Sequence, residues 1–332
     1  MFGLRPPRLL LMGLSLDGTK FIAQARHAGV RFDETLTLGR QYMMVSPERM
    51  AALLRQHGLW PPPQGETAFL NDLRGTKWRF EILARALGAK NARSLDASNY
   101  EEADFVHDLN QPVAADMEER FDVVIDGGTL EHVFNFPVAI ANCMRMVKTG
   151  GHLMLLTVAN NYCGHGFYQF SPELFYRVLS KENGFEVVRM IALEESLARS
   201  SLLGVKYDFN VRGPWFEVHD PAQIRDRVTL LSHNEVSLFV LARKLSRESI
   251  FKSVPQQSDY TPLWQAGKPM ADPFGQSGFG RKVVEWLRRS VPEDFYREVL
   301  PRLAVLADPF RLWRFRRSRS FGNRKYYSKV RS

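Results

Sequence analysis

The residues with the clearest chemical potential lie in the stretch FDVVIDGGTLEHVFN, which starts at Phe121. A β-branched run at 123–125, of the kind found in strands buried on both faces, stops at an acid and two glycines. Ligands of open α/β sheets bind beyond the carboxyl ends of such strands. Carboxylates accept hydrogen bonds and histidine exchanges a proton near neutral pH, so this turn could bind a polar ligand and assist proton transfer. Its polar and glycine residues are Asp126, Gly127, Gly128, Glu131 and His132.

A second histidine, His165, stands in the polar and aromatic segment NNYCGHGFYQF, which follows the next apolar run. Either His165 or His132 could act as a general base, and Glu131 could orient either of them or bind substrate. For His132 the alternative is that it shapes the site without accepting a proton. For Tyr168 and Phe170, packing is the favoured interpretation. No group of His, Asp and Glu residues has the sequence spacing of metal ligands, so no metal site is predicted.

A parallel sheet is the element that could position these residues. Between residues 92 and 190 the predicted strands and helices alternate, which is typical of such a sheet. Helix starts are indicated where serine precedes proline, at Ser46 and Ser171, and by Pro137. The predicted strands are 92–95, 105–106, 123–125, 152–157, 185–193 and 236–244, and a short helix is predicted at 19–28 before Gly29.

Basic charge is concentrated at the C-terminus. Positions 311–332 hold nine Lys and Arg residues and no acid, whereas positions 1–310 hold 36 basic and 36 acidic residues. Interspersed aromatic residues give this tail a composition that could contact an anionic membrane surface or nucleic acid. The simpler alternative is a solvated, partly disordered terminus.

The cysteines and the apolar runs indicate a cytoplasmic setting. Cys143 and Cys163 are the two cysteines, and they fit neither a disulfide framework nor a zinc pattern. The apolar run at 9–16 lacks the small-residue cleavage site of a secretory signal. No stretch approaches the ~18 apolar residues of a membrane span.

From Asp96 to Lys244 the chain resembles a class I S-adenosylmethionine-dependent methyltransferase of the bacterial small-molecule and sugar-type group. FDVVIDGGTLEHVFN is similar to the family's fourth strand with its L-E-H-V ending, and MRMVKTGGHLMLLT to the segment leading into the fifth strand. FSPELFYRVLSKENGFEVV and the closing strand VSLFVLARK follow in the family's order. The resemblance implies a Rossmann-like, doubly wound, mostly parallel sheet with an antiparallel final strand, followed by a C-terminal extension.

The resemblance also implies S-adenosylmethionine as the cofactor. In such a fold an acid ending the second strand can accept both ribose hydroxyls, and one ending the third can accept the adenine amino group. Asp96 and Asp108 stand at these positions, with Leu109 beside the latter, while Asp126 and Gly127 border the cofactor at the fourth strand. The alternative interpretation is that Asp96 caps a helix and Asp108 caps a turn.

The chain departs from the family at the first strand, where a loop similar to E/D-x-G-x-G-x-G is expected. The preferred counterpart is Gly39, which follows the predicted strand TLTL and makes residues 59–77 an insertion. Arg40 and Gln41 would then bind the cofactor's carboxylate through charge-assisted hydrogen bonds. A lower-ranked counterpart is the glycine-containing stretch LLMGLSLDG near the N-terminus.

The predicted function is methyl transfer to oxygen or nitrogen of a small-molecule or saccharide acceptor. The alternative, favoured by the missing glycine loop, is a methyltransferase-like binding or scaffold module without turnover. A nucleic-acid acceptor is disfavoured, because the turn after the fourth strand reads DGGT and has no resemblance to D/N-P-P-Y. The predicted domains are a methyltransferase-like domain at 1–245, a linker and helical extension at 246–310, and the basic tail at 311–332.

Overall fold

The computed structural model describes residues 13–75, 79–195, 213–260 and 316–330, with a few single positions between 286 and 313. The chain forms two compact units. The first comprises residues 1–218, 232–255 and 329–332, and the second comprises 219–231 and 256–328. Most of the predicted helical extension lies outside the described residues.

The first unit is built on a large, mostly parallel sheet. In chain order the strands of the protein are β1 (Gly13–Leu14), β2 (Glu34–Leu38), β3 (Tyr42–Met43), β4 (Asn91–Asp96), β5 (Phe105–Val106), β6 (Phe121–Asp126), β7 (Val147–Val158), β8 (Phe185–Glu194), β9 (Trp215–Val218), β10 (Val236–Lys244) and β11 (Tyr327–Lys329). From one edge of the large sheet to the other the order is β9-β8-β10-β7-β6-β2-β4-β5, and Lys329 continues the edge beside β9. Strand β10 runs antiparallel to both of its neighbours, while the strands from β7 to β5 are parallel. The predicted fold class is therefore confirmed.

Serine caps and first-turn prolines start several of the helices. The Ser46 and Ser171 side chains accept hydrogen bonds from backbone N–H groups three residues later, as the sequence predicts. The first helix begins earlier than the predicted Thr19, because Ser15 caps it. The helices are α1 (Leu16–His27), α2 (Pro47–Gln56), α3 (Glu66–Gly75), α4 (Phe80–Ala86), α5 (Phe136–Met146), α6 (Pro172–Val178) and, in the second unit, α7 (Pro221–Ile224).

Strand β2 occupies the centre of the sheet, between β4 and β6. Its Leu36 and Leu38 side chains are fully buried, and every residue of β6 is buried. Strand β2 is therefore the first strand of the parallel sheet, as predicted from TLTL. The lower-ranked stretch contributes β1, which pairs with β3 in a separate two-stranded sheet.

The stretch at 59–77 is predicted as an insertion relative to the family, and its described part, residues 59–75, packs into the core. It contains α3, whose Phe69 and Leu73 side chains are buried among the residues of α1, α2 and α4. The Phe69 ring meets the Trp60 ring edge to face, with ring centroids 5.9 Å apart. This segment therefore adds apolar packing beside the sheet.

The described part of the basic tail is folded. Within the second unit, Lys325 Nζ lies 2.6 Å from Asp226 Oδ2, and the Tyr326 hydroxyl donates to the same oxygen. Tyr327 is buried against Phe321. None of the helices in the described ranges has the length and apolar character needed to span a bilayer. Contact of the tail with an anionic membrane stays a prediction.

Candidate active site and cofactor cleft

The carboxyl ends of β2, β4 and β6 meet at one edge of the sheet. Leu38, the last residue of β2, pairs with Leu95 on one side and Asp126 on the other. Gly39 follows with a φ of 65°, a conformation that favours glycine. A Cβ on Gly39 would lie 3.3 Å from Thr129 Oγ1 and 3.8 Å from Asp96 Oδ2. The space at this edge of the sheet is therefore narrow, and the backbone of Gly39, rather than a side chain, faces Thr129 and Asp96.

The Gln41 side chain lies next to Gly39 at this edge of the sheet. This side chain is buried, and its Nε2 donates to the Leu38 carbonyl at 2.8 Å. Its Oε1 is buried and has no hydrogen-bond partner among the described residues. A Cβ on Gly127 would lie 2.6 Å from that oxygen, so a larger residue at this position would have to displace the Gln41 side chain. The predicted residues Gly39, Gln41, Asp96 and Gly127 are therefore brought together.

Arg40 is placed differently. Its guanidinium lies 2.8 Å from Glu81 Oε1 and 3.5 Å from Asp104 Oδ2, and it also donates to the Glu102 carbonyl. Its charge is already balanced by acids of this chain, so a cofactor carboxylate would have to compete with them. In this structure Arg40 joins α4 to the segment that precedes β5.

Asp96 and Asp108 occupy the ends of β4 and the segment after β5. Asp96 is half-buried, and its Oδ1 accepts the Ser98 N–H at 3.3 Å, so it caps a turn rather than a helix. Asp108 is exposed and accepts both the backbone and side-chain N–H groups of Asn110. These hydrogen bonds lower the pKa of Asp108. Both acids therefore organise turns, and each retains a second oxygen that could accept from a ligand. Leu109, next to Asp108, is buried.

Two buried carboxyl groups lie behind the turn that follows β6. Asp126 Oδ1 accepts the Thr129 and Leu130 N–H groups at 2.8 and 3.3 Å, and its Oδ2 has no partner among the described residues. Burial, with a smaller contribution from Glu131, raises the pKa of Asp126 well above its usual range. Burial also raises the pKa of Glu131, although the Thr157 hydroxyl donates to its Oε2 at 3.0 Å.

The two histidines meet beside Glu131. The segment after β7 passes close to the turn, since Phe167 N–H donates to the Glu131 carbonyl at 2.8 Å. Gly166 has a φ of 71°, and a Cβ there would lie 2.7 Å from that carbonyl oxygen. This approach places His165 Nε2 3.7 Å from Glu131 Oε1, with its ring centroid 5.0 Å from that of His132. Partial burial and the adjacent His165 lower the pKa of His132.

The fold also gathers potential ligand atoms of Glu131, His132 and His165, which all lie within 4.8 Å of one another. Sequence spacing did not indicate this cluster, because His165 reaches it from a different loop. Thr157 and Gly166 were likewise missed. Gly166, next to His165, was the only sequence signal of a close approach, but its contact with the Glu131 carbonyl could not be predicted without the fold.

Aromatic side chains surround the same region. Phe134 and Phe167 are exposed and meet edge to face with centroids 5.8 Å apart. Phe170 is buried and packs 4.7 Å from Phe136, which confirms the packing interpretation for this residue. The Tyr168 hydroxyl donates to the Phe134 carbonyl at 2.6 Å. The exposed pair offers an apolar surface beside the histidines.

Residues 75–155 match the protein family described as methyltransferase domain. The match covers 81 of the 332 residues and assigns a methyltransferase domain to this part of the chain. The match includes Asp96, Asp108, Asp126, Glu131 and His132, and it excludes Gly39–Gln41 and His165. The predicted enzyme class, S-adenosylmethionine-dependent methyltransferase, is confirmed by this match, and the class implies S-adenosylmethionine as cofactor. The sequence matches none of the curated proteins with which it was compared.

Several solved structures are similar to parts of this chain. A putative methyltransferase from Bacillus halodurans is 14% identical with a TM-score of 0.32, and the alignment covers 70% of this chain and 100% of that one. A possible histamine N-methyltransferase from Thermotoga maritima is 15% identical with a TM-score of 0.33, covering 71% and 92%. The 1,6-didemethyltoxoflavin-N1-methyltransferase of Burkholderia thailandensis is 13% identical with a TM-score of 0.33, covering 70% and 78%.

Proposed function

We propose that this protein transfers a methyl group from S-adenosylmethionine to oxygen or nitrogen of a small-molecule or saccharide acceptor in the cytoplasm. The observation that carries the proposal is the convergence of Gly39, Gln41, Asp96 and Gly127 at one edge of the sheet. Glu131 and His165 lie beyond the end of β6 on the same edge. The free cysteines are consistent with the proposed compartment.

The residues at this edge fit the cofactor. Gly39 leaves backbone facing the cleft, where a Cβ would approach Thr129 and Asp96. The buried Gln41 Oε1 has no partner among the described residues and could accept a hydrogen bond from the cofactor's ammonium group. Asp96 would hold the ribose hydroxyls, and Asp108 with Leu109 would contact the adenine. In this proposal, Gly39, Gly127 and the side-chain amide of Gln41 bind the part of the cofactor that a glycine-rich loop binds in the family pattern.

The acceptor would lie beside the histidines. When bound, S-adenosylmethionine supplies an electrophilic methyl group on a sulfonium. The protein then has to position the acceptor and, for a hydroxyl, remove its proton. His165 is partly exposed and lies close to the carboxyl group of Glu131, which suits a base oriented by an acid. The Phe134 and Phe167 rings could pack against the apolar face of a sugar or an aromatic acceptor.

A binding or scaffold module without turnover is the second candidate. The observation that favours it is the ion pairing of Arg40 with Glu81 and Asp104, which leaves the cofactor's carboxylate without its predicted partner. Such a module could still bind the cofactor. The two candidates are separated by assaying methyl transfer from S-adenosylmethionine to a panel of hydroxylated acceptors. Turnover supports the enzyme, whereas cofactor binding without turnover on any acceptor supports the binding module.

Cofactor binding is tested by titrating S-adenosylhomocysteine calorimetrically into the full-length chain. Asp96→Ala removes the acceptors proposed for the ribose hydroxyls, and the expected loss is about tenfold to a hundredfold in affinity, since a hydrogen bond to a charged group is worth about 1.5–3 kcal/mol. Asp72→Ala is the matched control, because Asp72 pairs with Arg85 outside the cleft. No binding by the wild-type chain, or equal losses in both variants, would contradict the proposal.

A further inference from the structure

The histidine-carboxylate cluster beyond the end of β6 has the composition of a metal site. We call Glu131, His132 and His165 the triad. Glu131 and His132 belong to a single helical turn, Leu130–His132, and His165 comes from the loop after β7. The potential ligand atoms lie within 4.8 Å of one another, and the Glu131 Oε1 to His165 Nε2 distance is 3.7 Å.

This donor set suits a divalent transition metal. Two imidazoles and one carboxylate bind catalytic zinc and non-haem iron(II), with positions left open for a further ligand. Donors arranged tetrahedrally at about 2.1 Å from one ion lie ~3.4 Å apart, so a pair of triad atoms at the 4.8 Å limit has to approach by about 1.4 Å. His132 and His165 both have exposed surface and could make that adjustment.

The surroundings of Glu131 hold it ready for such an ion. Thr157 Oγ1 donates to Oε2 at 3.0 Å, which leaves Oε1 directed toward His165. The Phe167 N–H fixes the Glu131 carbonyl, and Gly166 permits that approach. Metal-ligating carboxylates are commonly held by such hydrogen bonds. Glu131 is also 1% exposed, and a divalent cation would offset the cost of burying its negative charge.

We propose that the triad binds one divalent transition-metal ion, with zinc, cobalt(II) and iron(II) as the fitting class. If the proposed function holds, the open positions of the ion would bind a hydroxyl oxygen of the acceptor and favour loss of its proton to solvent, and His165 would then serve as a metal ligand instead of as the base. This role rests on the proposed function, whereas metal binding itself rests on the triad alone. The competing interpretation, in which Glu131 orients His165 by a hydrogen bond without metal, predicts no binding.

Cobalt(II) titration of the metal-free, full-length chain tests the site directly. The expected result is one equivalent bound with a visible absorption band that zinc removes by competition. His165→Ala and Glu131→Gln are expected to weaken binding by at least about a hundredfold, and Thr157→Val by about tenfold to a hundredfold. His27→Gln is the control, because His27 is an exposed histidine at the end of α1, and its titration should match the wild type.

Several results would overturn the triad as a metal site. They are no saturable cobalt binding by the wild-type chain, unchanged binding by His165→Ala, or an equal loss in His27→Gln. Circular dichroism on each sample identifies a variant that has lost its fold, and Thr157→Val then provides a second test with the three ligands intact. S-adenosylhomocysteine is titrated into the same samples. Cofactor binding without cobalt binding rejects the triad alone, and the converse result rejects the proposed cofactor site alone.

Discussion

At the scale of single residues, Asp126 and Asp122 show how one strand can bury two carboxyl groups in opposite electrostatic settings. Asp122, near the start of β6, is buried, but Arg31 and Lys148 pair with it at 2.5 and 3.0 Å. Against the effect of burial, these bonds and the Glu34 N–H lower its pKa. Asp126, at the other end, has no cation within its hydrogen-bonded set, and burial raises its pKa well above the usual range.

We expect Asp126→Asn to raise the melting temperature near neutral pH, because asparagine accepts the two backbone N–H groups without carrying charge. A raised folded-state pKa stabilises the fold below the unfolded pKa of about 4, and this stability is lost as the pH rises through the folded pKa. The variant lacks that loss, so its stability advantage should grow as the pH rises above about 4, until Asp126 of the wild type is fully ionised. Each kcal/mol gained in the free energy of unfolding should raise the melting temperature by about 2–4 °C.

Asp122→Asn is the matched comparison for this experiment. Its depressed pKa gives stability that is present above the unfolded pKa and lost as the pH falls through the folded pKa. The variant should therefore melt lower than wild type at neutral pH, and the difference should shrink below about pH 4. Thermal melts of the three proteins over this pH range provide the measurement. Equal destabilisation of both variants at pH 8 would show that Asp126 is ionised and paired.

Residue types at the strand ends could be predicted from the sequence, but their pairing could not. The acids Asp96, Asp108 and Asp126 end predicted strands, and this pattern was visible without a structure. The ion pairs of Arg40 with Glu81 and Asp104 depend on α4 and the segment before β5, which the chain order does not bring together. The same holds for His165 beside Glu131. The loop after β7 brings His165 to Glu131, and an irregular loop has no periodic sequence pattern from which this contact could be predicted.

At the scale of elements, α3 is a helix that the sequence did not indicate. It lies in a stretch interpreted as an insertion, and three consecutive prolines precede it. Helix α1 also begins before its predicted start, since Asp17 is buried and accepts the Trp215 Nε1–H at 2.8 Å. An acid in a buried first turn is stabilised by this distant partner, which local propensity cannot reveal. Strand β10, by contrast, was predicted with its observed bounds, because its apolar run is long and continuous.

We expect Phe69→Ala to destabilise the protein by about 3–5 kcal/mol, because the ring is fully buried between α3 and its neighbours. Urea unfolding followed by circular dichroism provides the measurement. Phe134→Ala is the control, since Phe134 is 72% exposed and its loss should change the free energy of unfolding by less than about 0.5 kcal/mol. A small effect of Phe69→Ala would mean that α3 adds little to the stability of the core.

At the scale of the whole molecule, the net charge of +9 is misleading about the C-terminus. A run of basic residues without acids is typical of a solvated tail, yet the described part of this segment turns back and becomes ordered. Lys325 pairs with Asp226, and the Val330 N–H donates to the Trp215 carbonyl at 2.9 Å within the first unit. Composition records only how many charges a segment carries, whereas the order of this segment depends on partners that are distant in sequence, such as Asp226 for Lys325.

We expect Tyr327→Ala to lower the free energy of unfolding by about 3 kcal/mol or more and to expose the C-terminal segment to protease, because the Tyr327 ring is buried and packs against Phe321. Arg324→Ala is the matched control, since its side chain is exposed and its removal should leave both measurements near wild type. Limited digestion with proteinase K, a protease of broad specificity, and urea unfolding of the full-length proteins test this. A solvated tail would be cut equally fast in wild type and Tyr327→Ala. A folded segment is cut slowly in wild type, so any attraction to anionic membranes would then come from its exposed basic side chains rather than from an extended peptide.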